Sequence, residues 1–279
     1  QKVLEKSSDG LSTSGFEKLE KNTSYLFISN HRDIILDSAI MNYLIVLKGM
    51  NTTEIAIGNN LLIEKWIEYT VKLNRAFVVR RNLPVRELLM ASKKLSEYIR
   101  RDITQKHTSV WIAQREGRTK DGNDKTQQAL LKMLNLSNIK EVGEGFKELR
   151  IVPLSISYEI EPCGISKVAE LYKKQTEGFE KTQEDDLRSM GEGLVRPKGR
   201  VHFGFGEPIT NQIFESNEPI SAQIEKLADH IDQKIYSNFQ LWPNNYIAED
   251  ILNNQRQHHR IVQLLSLFLY LKYFLYSIQ

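Results

Sequence analysis

Cysteine is nearly absent from this sequence, and the short motifs of several large enzyme classes are missing. Its 279 residues include one cysteine, Cys163, which excludes an internal disulfide and fits a reducing compartment. There is no Gly-x-Ser-x-Gly elbow, no glycine-rich nucleotide loop, and no paired-cysteine or His-Glu-x-x-His spacing. These absences leave serine hydrolases of that type, nucleotide-binding loops and zinc sites without support in the sequence.

An excess of charge of one sign is also missing. The 38 lysine and arginine residues are nearly balanced by 35 aspartate and glutamate residues, for a net charge of +3, so composition gives no indication of nucleic-acid binding. The apolar fraction of 41% is ordinary for a globular protein. At this length the chain can form one large α/β domain, with or without a helical appendage.

Short apolar runs alternate with amphipathic stretches along most of the chain, which predicts an α/β domain. The predicted strands are 25–29, 55–58, 76–80, 109–113, 150–158 and 200–206. The predicted helices are 34–47, 60–73, 85–101, 125–136, 184–194 and 221–236, with Asp33 and Asp124 as candidate N-caps. The polar segment 164–193 is expected to lie on the surface.

The C-terminal segment 261–278 is nearly all apolar and is interrupted by Gln263 and Lys272. As a helix it would span about 27 Å, just short of a bilayer core, and a lysine near its middle disfavours a full span. Two alternatives remain open. The segment packs on its own domain or a second copy, or it anchors at a membrane interface. We therefore divide the chain into a domain at 1–245 and a helical tail at 246–279.

The most informative stretch, residues 29–37, reads SNHRDIILD. It follows a short apolar run, 25–28, that is typical of a buried strand. The stretch places His31 at the exit of that strand, with Asp33 and Asp37 just downstream. An imidazole in this position can act as a general base, and a nearby carboxylate can orient it.

Three further segments follow in order: AFVVRR at 76–81, REGRTKDG at 115–122 and VPLSISYE at 152–159. Each alone would be common by chance. Together, in this order and at this spacing, the four resemble the motifs of the glycerol-phosphate acyltransferase superfamily, which moves a fatty acyl group from a thioester to a glycerol-phosphate or lysophosphatidate hydroxyl. The resemblance covers residues 24–209. It implies a single mixed central sheet flanked by helices, with the apolar tail as a C-terminal helix.

The resemblance implies that His31 is the general base, which takes the proton of the acceptor hydroxyl as that oxygen attacks the thioester carbonyl. No acyl-enzyme is implied, because a thioester is already activated. The family places an aspartate after four intervening residues, here Leu36, whereas Asp37 follows five. We predict that His31 lies in a turn that absorbs the extra residue. Asp37 would then orient the ring and Asp33 would cap the next helix, with Asp33 as the alternative partner of His31.

The same resemblance assigns the acceptor phosphate to cationic residues on two segments. Arg80 matches the arginine of the second motif, and its guanidinium fork suits phosphate oxygens. In the third segment Glu116 would order the acceptor site, and Gly117 would let the backbone approach the ligand. Arg118 and Lys120 would bind phosphate.

The acceptor itself stays open. The third and fourth segments resemble the branch that acylates glycerol 3-phosphate or dihydroxyacetone phosphate, whereas the short chain resembles the compact enzymes that act on lysophosphatidate. The resemblance implies an acyl-CoA or acyl carrier protein thioester as co-substrate, no cofactor or metal, no nucleic-acid partner, and a cytoplasmic location at a membrane surface. The alternatives are a relative that binds phosphate or phospholipid without turnover, which the displaced aspartate favours, and a thioester hydrolase.

Overall fold

The structure, a computed structural model, describes residues 2–62, 64–80, 82–176, 178, 182–215 and 217–254. Within these residues a compact unit that ends at Phe239 is built around one seven-stranded sheet. The strands are β1 Gly10–Ser14, β2 Leu26–Ser29, β3 Glu54–Gly58, β4 Ala76–Val79, β5 Val110–Ala113, β6 Ile151–Tyr158 and β7 Arg200–Phe205. The helices of this unit are α1 Lys2–Ser7, α2 Leu36–Leu47, α3 Lys65–Leu73, α4 Val85–Thr104, α5 Gln128–Asn135, α6 Val142–Glu148, α7 Gly164–Thr176, α8 Gln183–Val195 and α9 Ile220–Ser237.

The sheet is mixed and has the strand order β1-β7-β6-β2-β5-β3-β4. Strands β6, β2, β5, β3 and β4 are parallel to one another. Strand β7 is antiparallel to β6, and β1 is parallel to β7. The predicted class, a single mixed sheet flanked by helices, is confirmed.

The core lies on both faces of the sheet, and β2 separates its two halves. Phe27 packs on one face with Ile40 and other residues of α2. Leu26 and Ile28 pack on the opposite face in a cluster that includes α4, α5 and α9. A central parallel strand that is buried on both faces is expected to read as a continuous apolar run, which is how β2 appears in the sequence.

The parallel arrangement brings the carboxyl ends of β2 to β6 to one edge of the sheet. Residues 29–37 follow β2, residues 76–81 include the end of β4, and residues 115–122 follow β5. The fourth segment contains β6 itself. In open α/β sheets this edge is where ligands bind. The four segments therefore lie at the same edge of the sheet, where β4 is separated from β2 by β5 and β3.

The structure shortens two predicted helices and adds one strand, and the helices α1, α6 and α7 were not predicted either. Residues 125–136 form a helix only at Gln128–Asn135, because Thr126 instead donates its backbone N–H and its hydroxyl to Asp232. Residues 60–73 are helical as α3 only from Lys65. Strand β1 was not predicted, because its sequence GLSTS has no apolar run and it is mostly exposed at the sheet edge.

The expectation that segment 164–193 lies on the surface is wrong in part. It forms α7 and most of α8, and several of its polar side chains are buried. Lys167 is buried because it forms an ion pair with Glu161 and donates to the Arg32 carbonyl. Glu170 is buried because it pairs with Lys120. Pairing compensates the cost of removing such charges from water.

The chain from Gln240 forms a second unit, in which the structure describes one helix, α10 Pro243–Leu252. The predicted domain boundary at residue 245 falls within α10, and that division stays a prediction. The apolar segment 261–278 lies outside the described residues. Among the residues that are described, no helix combines the length and the apolar character needed to cross a bilayer.

Candidate active site

His31 lies in a non-helical turn between β2 and α2. Asp33 shapes this turn, because its Oδ1 atom accepts hydrogen bonds from the backbone N–H groups of Ile35 (2.9 Å) and Leu36 (2.7 Å). Helix α2 begins at Leu36 with Ile35 as its N-cap, so the prediction that Asp33 is the N-cap is wrong, and Asp33 lies two residues before that position. Asp37 lies in the first turn of α2. The extra residue between His31 and Asp37 is accommodated by the turn.

Asp37 is the carboxylate that contacts the imidazole. Its Oδ2 atom lies 2.9 Å from His31 Nδ1 and also accepts the backbone N–H groups of Arg32 (2.6 Å) and Asp33 (3.0 Å). Its Oδ1 atom accepts the hydroxyl of Tyr158 at 2.9 Å. Burial alone would raise the pKa of Asp37, but the hydrogen bonds and the charge of His31 outweigh it and hold that pKa below its usual value. The stabilisation from this carboxylate is complete above its unfolded pKa and is lost as the pH falls through the lower folded value.

The ionised Asp37 fixes the protonation pattern of the ring. A carboxylate only accepts hydrogen bonds, so Nδ1 of His31 carries the proton and Nε2 presents its lone pair. The ring meets Trp111 edge to face, with centroids 5.7 Å apart, and its side chain is 15% exposed. Trp111 is in turn fixed by a 3.0 Å hydrogen bond from Nε1 to Ser29 Oγ. The imidazole is therefore held in place, with Nε2 as its proton-accepting atom.

The loop after β5 is tied to the His31 turn by hydrogen bonds that the sequence did not reveal. The backbone N–H of Thr119 donates to the His31 carbonyl at 3.1 Å, and the Thr119 hydroxyl donates to Asp124. Asp124 also accepts Arg32 Nη2 at 2.5 Å, so it joins the two loops rather than capping a helix. These bonds place Arg118, the neighbour of Thr119, beside His31.

Arg118 is a buried cation without a hydrogen-bond partner on Nη1. The residue is 9% exposed, and Nη1 makes no hydrogen bond within the described part of the chain. Gly117 precedes it with φ +73°, a conformation that favours glycine. A buried guanidinium with unused donors is a suitable site for an anionic group.

His31 and Arg118 line the same small cavity, with a volume of about 100 Å³. Its other polar lining residues are Ser38, Asn60, Arg115 and Asp186. Asn60 and Asp186 were not among the predicted site residues. Asp186 belongs to α8, within the polar segment, and no local signal marks it as part of a site, because it reaches the cavity only through the packing of α8.

A larger groove of about 1020 Å³ lies beside this cavity, between strands β3, β4 and β5 and helices α4 and α5. Its lining is mainly apolar and includes Phe77, Val79, Leu88, Met90, Leu95 and Leu130. The two spaces share the lining residues Ala56, Ile57, Gly58, Ala113 and Arg115. One ligand with a polar end and a long apolar part could therefore occupy both.

The remaining predicted residues lie at different positions around these spaces. Arg80 is exposed at the end of β4 and lines the groove together with Glu116, so neither shares the small cavity with His31. Lys120 points to α7, where it forms an ion pair with Glu170. Of the predicted cations, Arg118 is the one that the structure places beside the imidazole.

Asp33 is fully buried below the site, and its Oδ2 atom has no hydrogen-bond partner among the described residues. Burial, followed by the charge of Asp37, raises the pKa of Asp33 above its usual value. The folded state therefore binds a proton more readily than the unfolded state, and stability attributable to Asp33 falls as the pH rises.

Asp33→Asn is expected to remove this penalty. The unfolding free energy of the variant relative to the wild type should increase as the pH rises above about 4, the ordinary pKa of an aspartate in an unfolded chain, by on the order of 1 kcal/mol, a typical cost of an unsatisfied buried polar group. Chemical denaturation across this pH range measures the difference. A difference that is constant with pH would contradict the assignment.

Helix α8 approaches Asp33 closely because residue 193 is glycine. A Cβ atom at Gly193 would lie 1.9 Å from Asp33 Oδ2, whereas a Cβ at Gly191 on the same helix would meet no atom within 4 Å. We expect Gly193→Ala to destabilise the fold by about 1–3 kcal/mol. Gly191→Ala, the matched control, should stabilise it by roughly 0.5–1 kcal/mol. Thermal unfolding of both variants tests this contact, and equal effects would refute it.

No protein-family model matches the sequence, and no curated protein matches it either. Among solved structures, the fold is similar to that of the 1-acyl-sn-glycerophosphate (LPA) acyltransferase PlsC from Thermotoga maritima. That match has a TM-score of 0.41 and 13% sequence identity, and it covers 80% of this chain and 71% of the other.

Proposed function

We propose that this chain is an O-acyltransferase that moves a fatty acyl group from an acyl-CoA or acyl carrier protein thioester to a hydroxyl of glycerol 3-phosphate or 1-acylglycerol 3-phosphate. The observation that supports this most directly is the shared cavity of His31 and Arg118. A base and an anion-binding group within one small space suit an acceptor that has both a hydroxyl and a phosphate. The adjoining apolar groove suits the acyl chain.

The proton chemistry follows from the His31–Asp37 pair. Nε2 of His31 takes the acceptor hydroxyl proton as the hydroxyl oxygen bonds to the thioester carbonyl carbon. Asp37 stabilises the imidazolium that forms. The tetrahedral intermediate then collapses, the carbon–sulfur bond breaks, and the thiolate leaves with the proton that His31 returns. No covalent acyl-enzyme is needed.

Phosphate binding is assigned to Arg118, with Arg115 as a second cation on the cavity wall. The Nε atom of Arg115 is likewise buried without a hydrogen-bond partner in the described part of the chain. Two guanidinium groups with unused donors can hold a phosphate dianion at several oxygens. Arg80 and Glu116 line the groove, and we assign them to the acyl donor rather than to the acceptor phosphate.

The groove fits a long apolar ligand. Its volume of about 1020 Å³ lies at the upper end of the usual range for small-molecule sites, and mainly apolar side chains line it. Substrates and products with such chains partition into membranes, so we propose that the enzyme acts at the cytoplasmic surface of a membrane. Lipid association is thus part of the proposed function.

The experiment that tests this proposal measures thiol release from acyl-CoA with glycerol 3-phosphate, 1-acylglycerol 3-phosphate or no acceptor, followed by mass spectrometry of the products. Acceptor-dependent release with an acylated product is the expected result. Release that is independent of acceptor would indicate a hydrolase and contradict the proposal. Binding of acceptor without release would indicate a catalytically inactive phospholipid- or phosphate-binding protein, and would also contradict it.

A further inference from the structure

Strand β6 ends at Tyr158, whose hydroxyl donates to Oδ1 of Asp37 at 2.9 Å. Tyr158 is 6% exposed and Asp37 is fully buried. The three other donors to Asp37, from His31, Arg32 and Asp33, all bond to Oδ2. Within the described part of the chain, Tyr158 is therefore the one donor to Oδ1.

We propose that Tyr158 is a positioning residue that acts on His31 through Asp37, by holding the far carboxylate oxygen and drawing negative charge away from the oxygen that faces the imidazole. The proposal deepens the proposed function, since it assumes that His31 is the working base. It gives a role to the fourth sequence segment, to which the sequence analysis assigned no specific chemistry.

The hydroxyl of Tyr158 is suited to this role because it stays protonated. Burial, together with the charges of Asp37 and Asp33, raises the pKa of Tyr158 well above its usual value. Tyr158 therefore remains a hydrogen-bond donor throughout the physiological pH range, in which Asp37 is ionised. Its ring packs in the same core cluster as Phe27 and Ile40, which fixes the direction of the hydroxyl.

Loss of this hydroxyl would have two effects on the His31–Asp37 pair. Oδ1 would be left buried without a donor, so the carboxylate could rotate away from its present plane. Its charge would also concentrate on Oδ2, which would strengthen the attraction for a protonated imidazole. The other charged groups near this pair, which Tyr158→Phe leaves unchanged, are Arg32, Asp33, Arg115, Arg118, Glu161 and Asp186.

The test uses the full chain with Tyr158→Phe, and Tyr25→Phe as the matched control. Tyr25 is also buried in this core cluster, but its hydroxyl accepts a hydrogen bond from the Glu20 backbone. The NMR signal of the His31 Nδ1 proton, which reports the hydrogen bond to Asp37, should shift in Tyr158→Phe and stay unchanged in Tyr25→Phe. The acidic limb of the kcat/KM profile should move to higher pH, and kcat/KM should fall roughly tenfold, as for other outer-shell donors.

A second substitution protects the test against misfolding of Tyr158→Phe. Replacement of Tyr158 by 3-fluorotyrosine keeps the hydroxyl and makes it a stronger donor, so the Nδ1 proton signal should shift in the opposite direction and the acidic limb of the kcat/KM profile should move to lower pH. An unchanged Nδ1 proton signal of His31 in both variants would overturn the proposal. The NMR measurement needs no turnover, so absence of acyl transfer in the wild type would refute the proposed function while leaving the effect of Tyr158 on His31 separately measurable.

Discussion

His31→Gln is expected to lower acceptor-dependent thiol release by roughly 10³-fold, within the usual contribution of a general base. Glutamine can still donate to Asp37 but has no atom that can take a proton from the acceptor hydroxyl. The loss should appear in kcat, because the acceptor phosphate still meets Arg118. Steady-state kinetics with the acceptor identified by product analysis would measure both constants.

His107→Asn serves as the control for His31→Gln. His107 is exposed, with φ +52°, a backbone conformation that asparagine tolerates. Its replacement removes a histidine without touching the cavity and should leave kcat unchanged. If His31→Gln kept more than about a tenth of the wild-type rate while remaining folded by circular dichroism, His31 would not be the base.

Arg118→Ala is expected to raise the KM for the phosphorylated acceptor by roughly 30- to 100-fold, the effect of removing a buried charged partner worth about 2–3 kcal/mol. The change in kcat should be smaller, because His31 and Asp37 remain in place. The KM for the acyl thioester should stay near its wild-type value. Initial rates measured against each substrate in turn separate these effects.

Arg196→Ala removes the same charge from a surface position, where the arginine pairs with Glu192 at 3.4 Å. It controls for the loss of long-range attraction between a cation and the acceptor. A comparable rise in KM in both variants would mean that Arg118 has no specific role. Arg118→Lys should recover only part of the affinity, since an ammonium group lacks the planar fork of a guanidinium.

The sequence predicted most of the sheet because its buried strands are short apolar runs between amphipathic stretches. Strand β1 could not be found in this way. It is polar and mostly exposed, and it exists because its backbone pairs with β7, far along the chain. Local propensity contains no information about such a partner.

The candidate site was predicted where its residues lie close in sequence or match a spaced motif. His31, Asp37 and Arg118 belong to that group, and the structure brings them together. Lys120 has the right chemistry for phosphate, but Glu170 on α7 lies opposite it.

Tyr158 and Asp186 reach the site only because β6 lies beside β2 and α8 packs over the turn. Long-range packing of this kind decides which charged or polar groups are in contact. Such contacts cannot be predicted from the residue types alone.

The turn between β2 and α2 allows the position of His31 and the start of α2 to be fixed independently of each other. A fixed number of residues between His31 and Asp37 is then not required. His31 follows the end of β2, and Asp37 lies in the first turn of α2, while the Asp33 side chain accepts backbone N–H groups of the turn between them. The number of residues in the turn can therefore differ while His31 and Asp37 stay in contact. A sequence pattern that requires four residues between the histidine and the aspartate would not match this protein, in which five residues separate them. Chains with longer or shorter versions of this turn deserve inspection for the same chemistry.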